Sequence, residues 1–155
     1  AAEAAPTPLL TVAGIGELRD SLEDRARELG VHDRIRFVGK IAHDDVPVWM
    51  AAGDIFCLPS LSEGLPTVVC EAMACARAVV ATAVDGTPEI VDDGQTGLLV
   101  PPRDAEALAT ALRRLLSDGE LRRRFEEESL RRSQSTYTWA ANAAQMNAIY
   151  AELVG

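Results

Sequence analysis

The sequence predicts an α/β fold: a doubly wound, Rossmann-like parallel sheet of about five strands, with helices on both faces and a helical carboxyl-terminal tail. Three observations predict it. Short apolar runs at 9–14, 35–38, 54–58, 78–82 and 98–102 alternate with segments of helical spacing. Glycine and proline punctuate the junctions, as at Gly14, Gly30, Gly86 and Pro101. From Asp104 onward the pattern is helical throughout. At 155 residues and 48% hydrophobic, the chain has enough apolar material for one domain with a real core, and reads as a single domain over 1–155.

Residues 1–8 are small and proline-interrupted, and are expected to be disordered. LLTVAG (9–14) reads as a buried strand meeting a glycine turn. Gly14 and Gly16 resemble the start of a dinucleotide fingerprint, but Arg19 stands at the third glycine position and no acidic residue ends the next strand, IRFVGK. An oxidoreductase reading is disfavoured accordingly. Leu18, Leu22, Ala26 and Leu29 have helical spacing, with Gly30 as the stop. HDDVPVWMAAG predicts a short helix opened by Asp44 or Asp45. His43 and Lys40, with no visible partner, read as surface residues.

The stretch Pro59 to Glu71, PSLSEGLPTVVCE, is built to receive a charged ligand. It follows the strand DIFCL (54–58) and opens the helical segment TVVCEAMACA (67–76). Pro66 suits the first helical position, which leaves the amides of Thr67, Val68 and Val69 pointing out of the helix end toward an anion. Glu71 lies four residues beyond Thr67 on the same helix face, and Glu63 lies in the loop before it. Two carboxylates beside an anion site suit an anion joined to hydroxyl-rich groups, because carboxylates accept hydrogen bonds from sugars. Val68, Val69, Ala72, Met73 and Ala76 form the stripe expected to face the sheet. Taken singly, each glutamate would be an ordinary surface carboxylate; together, at an open helix start, they favour a site.

AVVAT (78–82) is the next buried strand. AVDGTPEIV turns at Gly86, Thr87 and Pro88 into a short helical piece carrying Glu89, and LLVPP (98–102) is a last strand. Three helices follow: 104–117, 118–135, and one opened by Thr138 or Trp139 that ends near Val154. Seven arginines (113, 114, 122, 123, 124, 131 and 132) crowd the first two. Glu126, Glu127 and Glu128 are their counter-charges, and solvated faces are favoured over a membrane or partner patch.

A net charge of −9 and a pI near 4.7 disfavour nucleic acid and anionic membranes as general partners. Cys57, Cys70 and Cys75 show no metal spacing and read as buried free thiols in a reducing compartment. With no apolar run near the roughly 20 residues of a spanning helix and no basic leader, a cytoplasmic location is expected.

These residues resemble a known family: the carboxyl-terminal, donor-binding domain of retaining glycosyltransferases of the GT-B, two-Rossmann-domain type, family GT4 (group 1). The similarity covers nearly all of Leu9 to Val154. It is most specific at Glu63 to Glu71, an E-x7-E element in LPSLSEGLPTVVCEAMAC. IRFVGK, AVVATAVDGTPEIV and GQTGLLVPP followed by DAEALATAL support it. The resemblance implies that Glu71 accepts hydrogen bonds from the nucleotide ribose and that Glu63, the catalytic candidate, lies near the transferred sugar. It implies that the backbone of Gly64, Leu65, Pro66, Thr67 and Val68 meets the diphosphate, and that Val38 and Gly39 meet the nucleobase. The implied reaction moves a sugar from a nucleotide-sugar to an acceptor with retention of anomeric configuration, with no metal and no other cofactor.

Departures from the family pattern sharpen the expectations. Ala76 and Ala78 stand where the family usually has glycine and proline. The strand with a glycine-arginine motif, the following lysine and the whole acceptor-binding domain that precede this region in the family have no counterpart in this sequence. The chain thus reads as half of a GT-B enzyme, inactive alone, with peripheral membrane association expected only of a full-length enzyme. A non-catalytic nucleotide-binding module or inactive fragment is the alternative. Without the family's central strand, 9–12 and 55–58 are expected to pair directly, giving the strand order 2-1-3-4-5.

Overall fold

The computed structural model describes residues 7–154. The disorder expected for residues 1–8 lies, for 1–6, outside the described residues; Thr7 and Pro8 are exposed coil. The chain divides into two compact units, Ala1–Val46 and Pro47–Gly155.

In the first unit, β1 (Leu10–Ala13) pairs in parallel with β2 (Ile35–Gly39), and α1 (Arg19–Glu28) makes the crossover. α1 is laced by surface ion pairs, Arg19 and Arg27 with Glu23 and Arg25 with Glu28. Gly30, at φ 66°, ends the helix as expected. The predicted helix stripe is mostly uncovered: Ala26 is buried, while Leu18, Leu22 and Leu29 are exposed. The burial expected for the 9–14 run also fails, since Leu9 and Leu10 are about half exposed.

The second unit opens near the start of α2 (Val46–Ala52), which a 3-10 turn at His43–Asp45 precedes. Its sheet is β3 (Ile55–Leu58), β4 (Ala78–Thr82) and β5 (Gly97–Val100), parallel throughout, in the order β3-β4-β5. Every residue of β4 is buried, as a central strand with both faces covered requires. Alternation along it divides the core in two. Ala78 and Val80, with Leu98 and Val100, pack against Ala111, Leu115, Leu121 and Phe125 of α5 (Ala105–Ser117) and α6 (Gly119–Thr136). Val79 and Ala81 pack on the other face against Val69 and Met73 of α3 (Thr67–Ala74), and against Ile90 and Val91 at the end of α4 (Thr87–Ile90). Each fully buried valine or leucine contributes roughly 1.5–3 kcal/mol of hydrophobic stabilisation.

Asp104 and Asp118 cap α5 and α6, accepting from the amides of Ala107 and Leu121, both at 2.9 Å. Thr138 Oγ1 accepts from Ala141 N at 3.1 Å, opening α7 (Trp139–Val154). α7 leaves Trp139, Met146, Ile149, Tyr150 and Leu153 exposed. Four of the seven arginines have acidic partners: Arg113 with Glu106, Arg122 with Asp54 and Glu126, Arg131 with Glu128, and Arg132 with Asp92. The Arg113 and Arg131 side chains are exposed, so their pairs fit the solvated-face reading and are each worth about 0–1 kcal/mol, whereas Arg122 and Arg132 are mostly covered.

Two expectations need correction. The five strands form a two-stranded and a three-stranded sheet, and no ladder joins β1 to β3 among the described residues, so the order 2-1-3-4-5 does not form. Apolar runs identify strands but not their partners. The helix predicted over 67–76 stops at Ala74. Ala76 turns left-handed at φ 54° and its stripe position falls outside the helix.

Candidate functional site

Because β3, β4 and β5 are parallel, the loops after them emerge at one edge of the sheet, the position where open α/β sheets bind ligands. The loop 59–66 follows β3 and holds Glu63, which is half-buried. It runs beside the turn after β4, and hydrogen bonds join the two in register. Thr82 Oγ1 donates to the Ser60 carbonyl at 2.5 Å. The Glu63 amide and Ser62 Oγ donate to Asp85 Oδ2 at 2.7 and 3.0 Å. Gly86 N donates to the Gly64 carbonyl at 3.1 Å. The Glu63 carboxylate is itself held, accepting from Ser60 Oγ at 2.5 Å.

Asp85 adopts φ 44°, a conformation that asparagine and aspartate tolerate better than most residues. Its carboxyl pKa is held below the ordinary carboxylate value, first by the Glu63 amide and then by the Ser62 hydroxyl, because both bonds favour the charged form. Sequence reasoning missed Asp85, Ser60, Ser62 and Thr82. The only local signal was the D-G pair at 85–86, which marks a turn without saying what the turn touches.

At the helix end, Pro66 is buried and stands one position earlier than expected, as the residue before the first helical residue, Thr67. The Val69 amide closes onto the Pro66 carbonyl at 2.9 Å and is withdrawn from the anion site. Thr67 and Val68, at the first two helical positions, keep amides with no intrahelical acceptor. Thr67 is exposed and Val68 half-buried; Gly64 and Leu65 are exposed in the loop. Of the three amides predicted to point out of the helix end, those of Thr67 and Val68 have no intrahelical acceptor and that of Val69 has one.

Glu71 lies on α3, half-buried, at the edge of a cavity of about 330 Å³. Cys70, Ser133, Gln134, Tyr137 and Thr138 help line that cavity. Tyr137 fixes the neighbouring segment: its hydroxyl reaches the carbonyls of Glu89 and Ile90 at 3.3 and 3.2 Å. Arg132 Nε donates to the same hydroxyl at 3.2 Å, while Arg132 pairs with Asp92. The structure thus brings Glu63 and residues 64–68 together at one sheet edge and places Glu71 further along the same helix. Val38 and Gly39 belong to the first unit, at the end of β2, where Gly39 has φ 72°.

Burial pushes the Cys57 thiol up to about 11 and also raises Cys70. All three cysteines are free thiols and half-buried, not fully buried as read from sequence. Among the described residues, no group of three His, Cys, Asp or Glu side chains is placed to hold a metal ion, and no helix is long and apolar enough to cross a membrane.

The family profile described as "Glycosyl transferases group 1" matches residues 2–132. The chain belongs to this family. Among curated group 1 relatives, it is 35% identical over 142 residues to the alpha-D-kanosaminyltransferase of Streptomyces kanamyceticus, covering 92% of this chain and 37% of that protein. It is 38% identical over 135 residues to the D-inositol 3-phosphate glycosyltransferase of Corynebacterium glutamicum, covering 87% and 32%. Among solved structures, sucrose-phosphate synthase from Thermosynechococcus elongatus superposes with a TM-score of 0.81 at 37% identity, over 94% of this chain and 38% of that one. HepE of Anabaena, solved in complex with UDP-glucose, gives 0.82 at 25% identity, over 93% and 41%. These neighbours have the GT-B fold, and the group 1 chain described here spans about a third to two fifths of their length.

Proposed function

We propose that the chain is the donor-binding part of a glycosyltransferase that moves a sugar from a nucleotide-sugar to an acceptor with retention of anomeric configuration. One observation carries the reading. Glu63 and Glu71 flank a helix start whose first two amides are free, at the carboxyl ends of parallel strands. The free amides of Thr67 and Val68 take diphosphate oxygens, together with the backbone of Gly64 to Pro66. Glu71 accepts hydrogen bonds from the ribose hydroxyls. Glu63, its carboxylate preset by Ser60, stands at the sugar and the face where the glycosidic bond breaks. The binding of UDP-glucose by HepE and the names of the curated relatives support a nucleotide-sugar as donor.

The diphosphate has no lysine or arginine from 59–71 or 83–92, because neither stretch contains one. Two amides and a helix dipole alone hold phosphate modestly. The 155-residue chain therefore binds donor weakly and transfers nothing by itself. Calorimetric titration of a panel of sugar nucleotides tests the reading, with Glu71→Ala as the control. The variant weakens every nucleotide by about 1–3 kcal/mol through lost hydrogen bonds to a charged group. Equal binding by both proteins removes Glu71 from the site, and measurable turnover by the chain alone overturns its inactivity.

A further inference from the structure

We propose that Asp85 is a positioning residue for Glu63: by accepting from the Glu63 amide and the Ser62 hydroxyl, it fixes the loop that presents the Glu63 carboxylate to the transferred sugar. This rests on the reading of Glu63 given under the proposed function.

The loop 60–64 runs alongside 82–86 with its contacts in step: Ser60 with Thr82, Ser62 and Glu63 with Asp85, Gly64 with Gly86. Of these links, only Asp85 brings a charge, and charge-assisted bonds are roughly twice as strong as neutral ones. It bonds Glu63 itself, at 2.7 Å across 22 residues of chain. Ser60 Oγ holds the other end of the same residue, its carboxylate, at 2.5 Å. Both the backbone and the side chain of Glu63 are thus fixed before any ligand arrives, which is the preorganisation that a group acting at a reacting centre needs.

Asp85 is a poor candidate for a merely structural residue. It is exposed and contributes nothing to either core cluster. Its backbone sits at φ 44°, a cost that a glycine would avoid. A side chain is present where the backbone favours none, and the bonds it makes are to Ser62 and Glu63. The depressed carboxyl pKa agrees, because the same two bonds keep the acceptor ionised.

Asp85→Gly separates conformation from hydrogen bonding, since glycine accepts the left-handed backbone but offers no acceptor. Asp85→Asn keeps a carbonyl acceptor and tolerates the same backbone. In the ligand-free chain, Glu63 amide exchange followed by NMR accelerates about tenfold or more in Asp85→Gly and stays near wild type in Asp85→Asn. Wild-type protection in Asp85→Gly overturns the proposal, because the backbone turn alone would then hold the loop. In binding, UDP-glucose and GDP-mannose are each compared with UDP and GDP. Asp85→Gly loses the affinity that the sugar adds and leaves the diphosphates unchanged. Combined with Glu63→Ala, it removes nothing further. Additive losses, or an equal loss for UDP and GDP, mean that Asp85 does not act through the Glu63 carboxylate and overturn the positioning role. A wild-type chain that gains nothing from either sugar overturns the reading of Glu63, and the exchange measurement still decides whether Asp85 holds the loop.

Discussion

Gly86 donates its amide to the Gly64 carbonyl at 3.1 Å, and a Cβ built on Gly86 would lie 2.5 Å from that same oxygen. No side chain fits there. The φ of Gly86 is −79°, so alanine would meet no dihedral penalty and its cost would be steric alone. Gly86→Ala should push the 60–64 loop off the 82–86 turn and destabilise the second unit by about 1–3 kcal/mol. The check is denaturant unfolding read through hydrogen exchange of the buried β4 amides, with loss of protection at Gly86 itself as the local signature.

Ala76 is strained where Gly86 is crowded. The Arg77 amide bonds the Ala72 carbonyl at 3.0 Å and the Ala76 amide bonds that of Met73 at 2.9 Å, the double closure of a helix that ends in a left-handed residue. Alanine at φ 54° carries a cost that glycine does not. Ala76→Gly should therefore stabilise the unit by about 0.5–1 kcal/mol, the relief exceeding the extra entropy of an unfolded glycine. A lower denaturant midpoint for the variant would contradict this account.

Tyr137 couples the end of α6 to the end of α4. Its hydroxyl meets the Glu89 and Ile90 carbonyls, and Arg132 donates to it from behind with its guanidinium 5.9 Å from the ring centroid. Tyr137→Phe keeps the ring and removes the polar link, at an expected cost of about 1 kcal/mol. The loss should appear in thermal unfolding, and amide exchange at Val91 should rise with it.

Cys57 should be the slowest thiol to react. A pKa of about 11 against the ordinary 9.0 leaves on the order of a hundredfold less thiolate at neutral or mildly alkaline pH. Alkylation at pH 8 followed by mass mapping should label Cys75 well before Cys57, and unfolding should abolish the difference. Fast labelling of Cys57 in the folded chain would show that the burial around β3 is absent in solution.

Much of the chain was legible from local pattern. The five strands and the helices fall close to where apolar runs and glycine stops place them, and AVVAT is the buried strand over its full predicted span. Pro66 shows the limit of local reading: proline suits both the first helical position and the one before it, and the Val69 to Pro66 bond selects the latter. Asp85 shows another limit, because its two partners lie 22 and 23 residues away. An aspartate before a glycine predicts a turn, and nothing in its neighbours names the loop it will meet.

The sequence by itself determined the α/β character, the group 1 resemblance and the pair of glutamates flanking a helix start, because periodicity, capping and spacing are properties of neighbouring residues. Only the tertiary structure decided that β1 pairs with β2 and β3 with β4 in separate sheets, and that Asp85 closes onto Glu63. It also decided which apolar stripes are covered: those of α5 and α6 bury against β4 and β5, while those of α1 and α7 stay open. The physical reason is common to all three. An amphipathic segment encodes which of its faces avoids water, and a polar group encodes that it needs a partner. Which partner it finds depends on where the rest of the chain brings one.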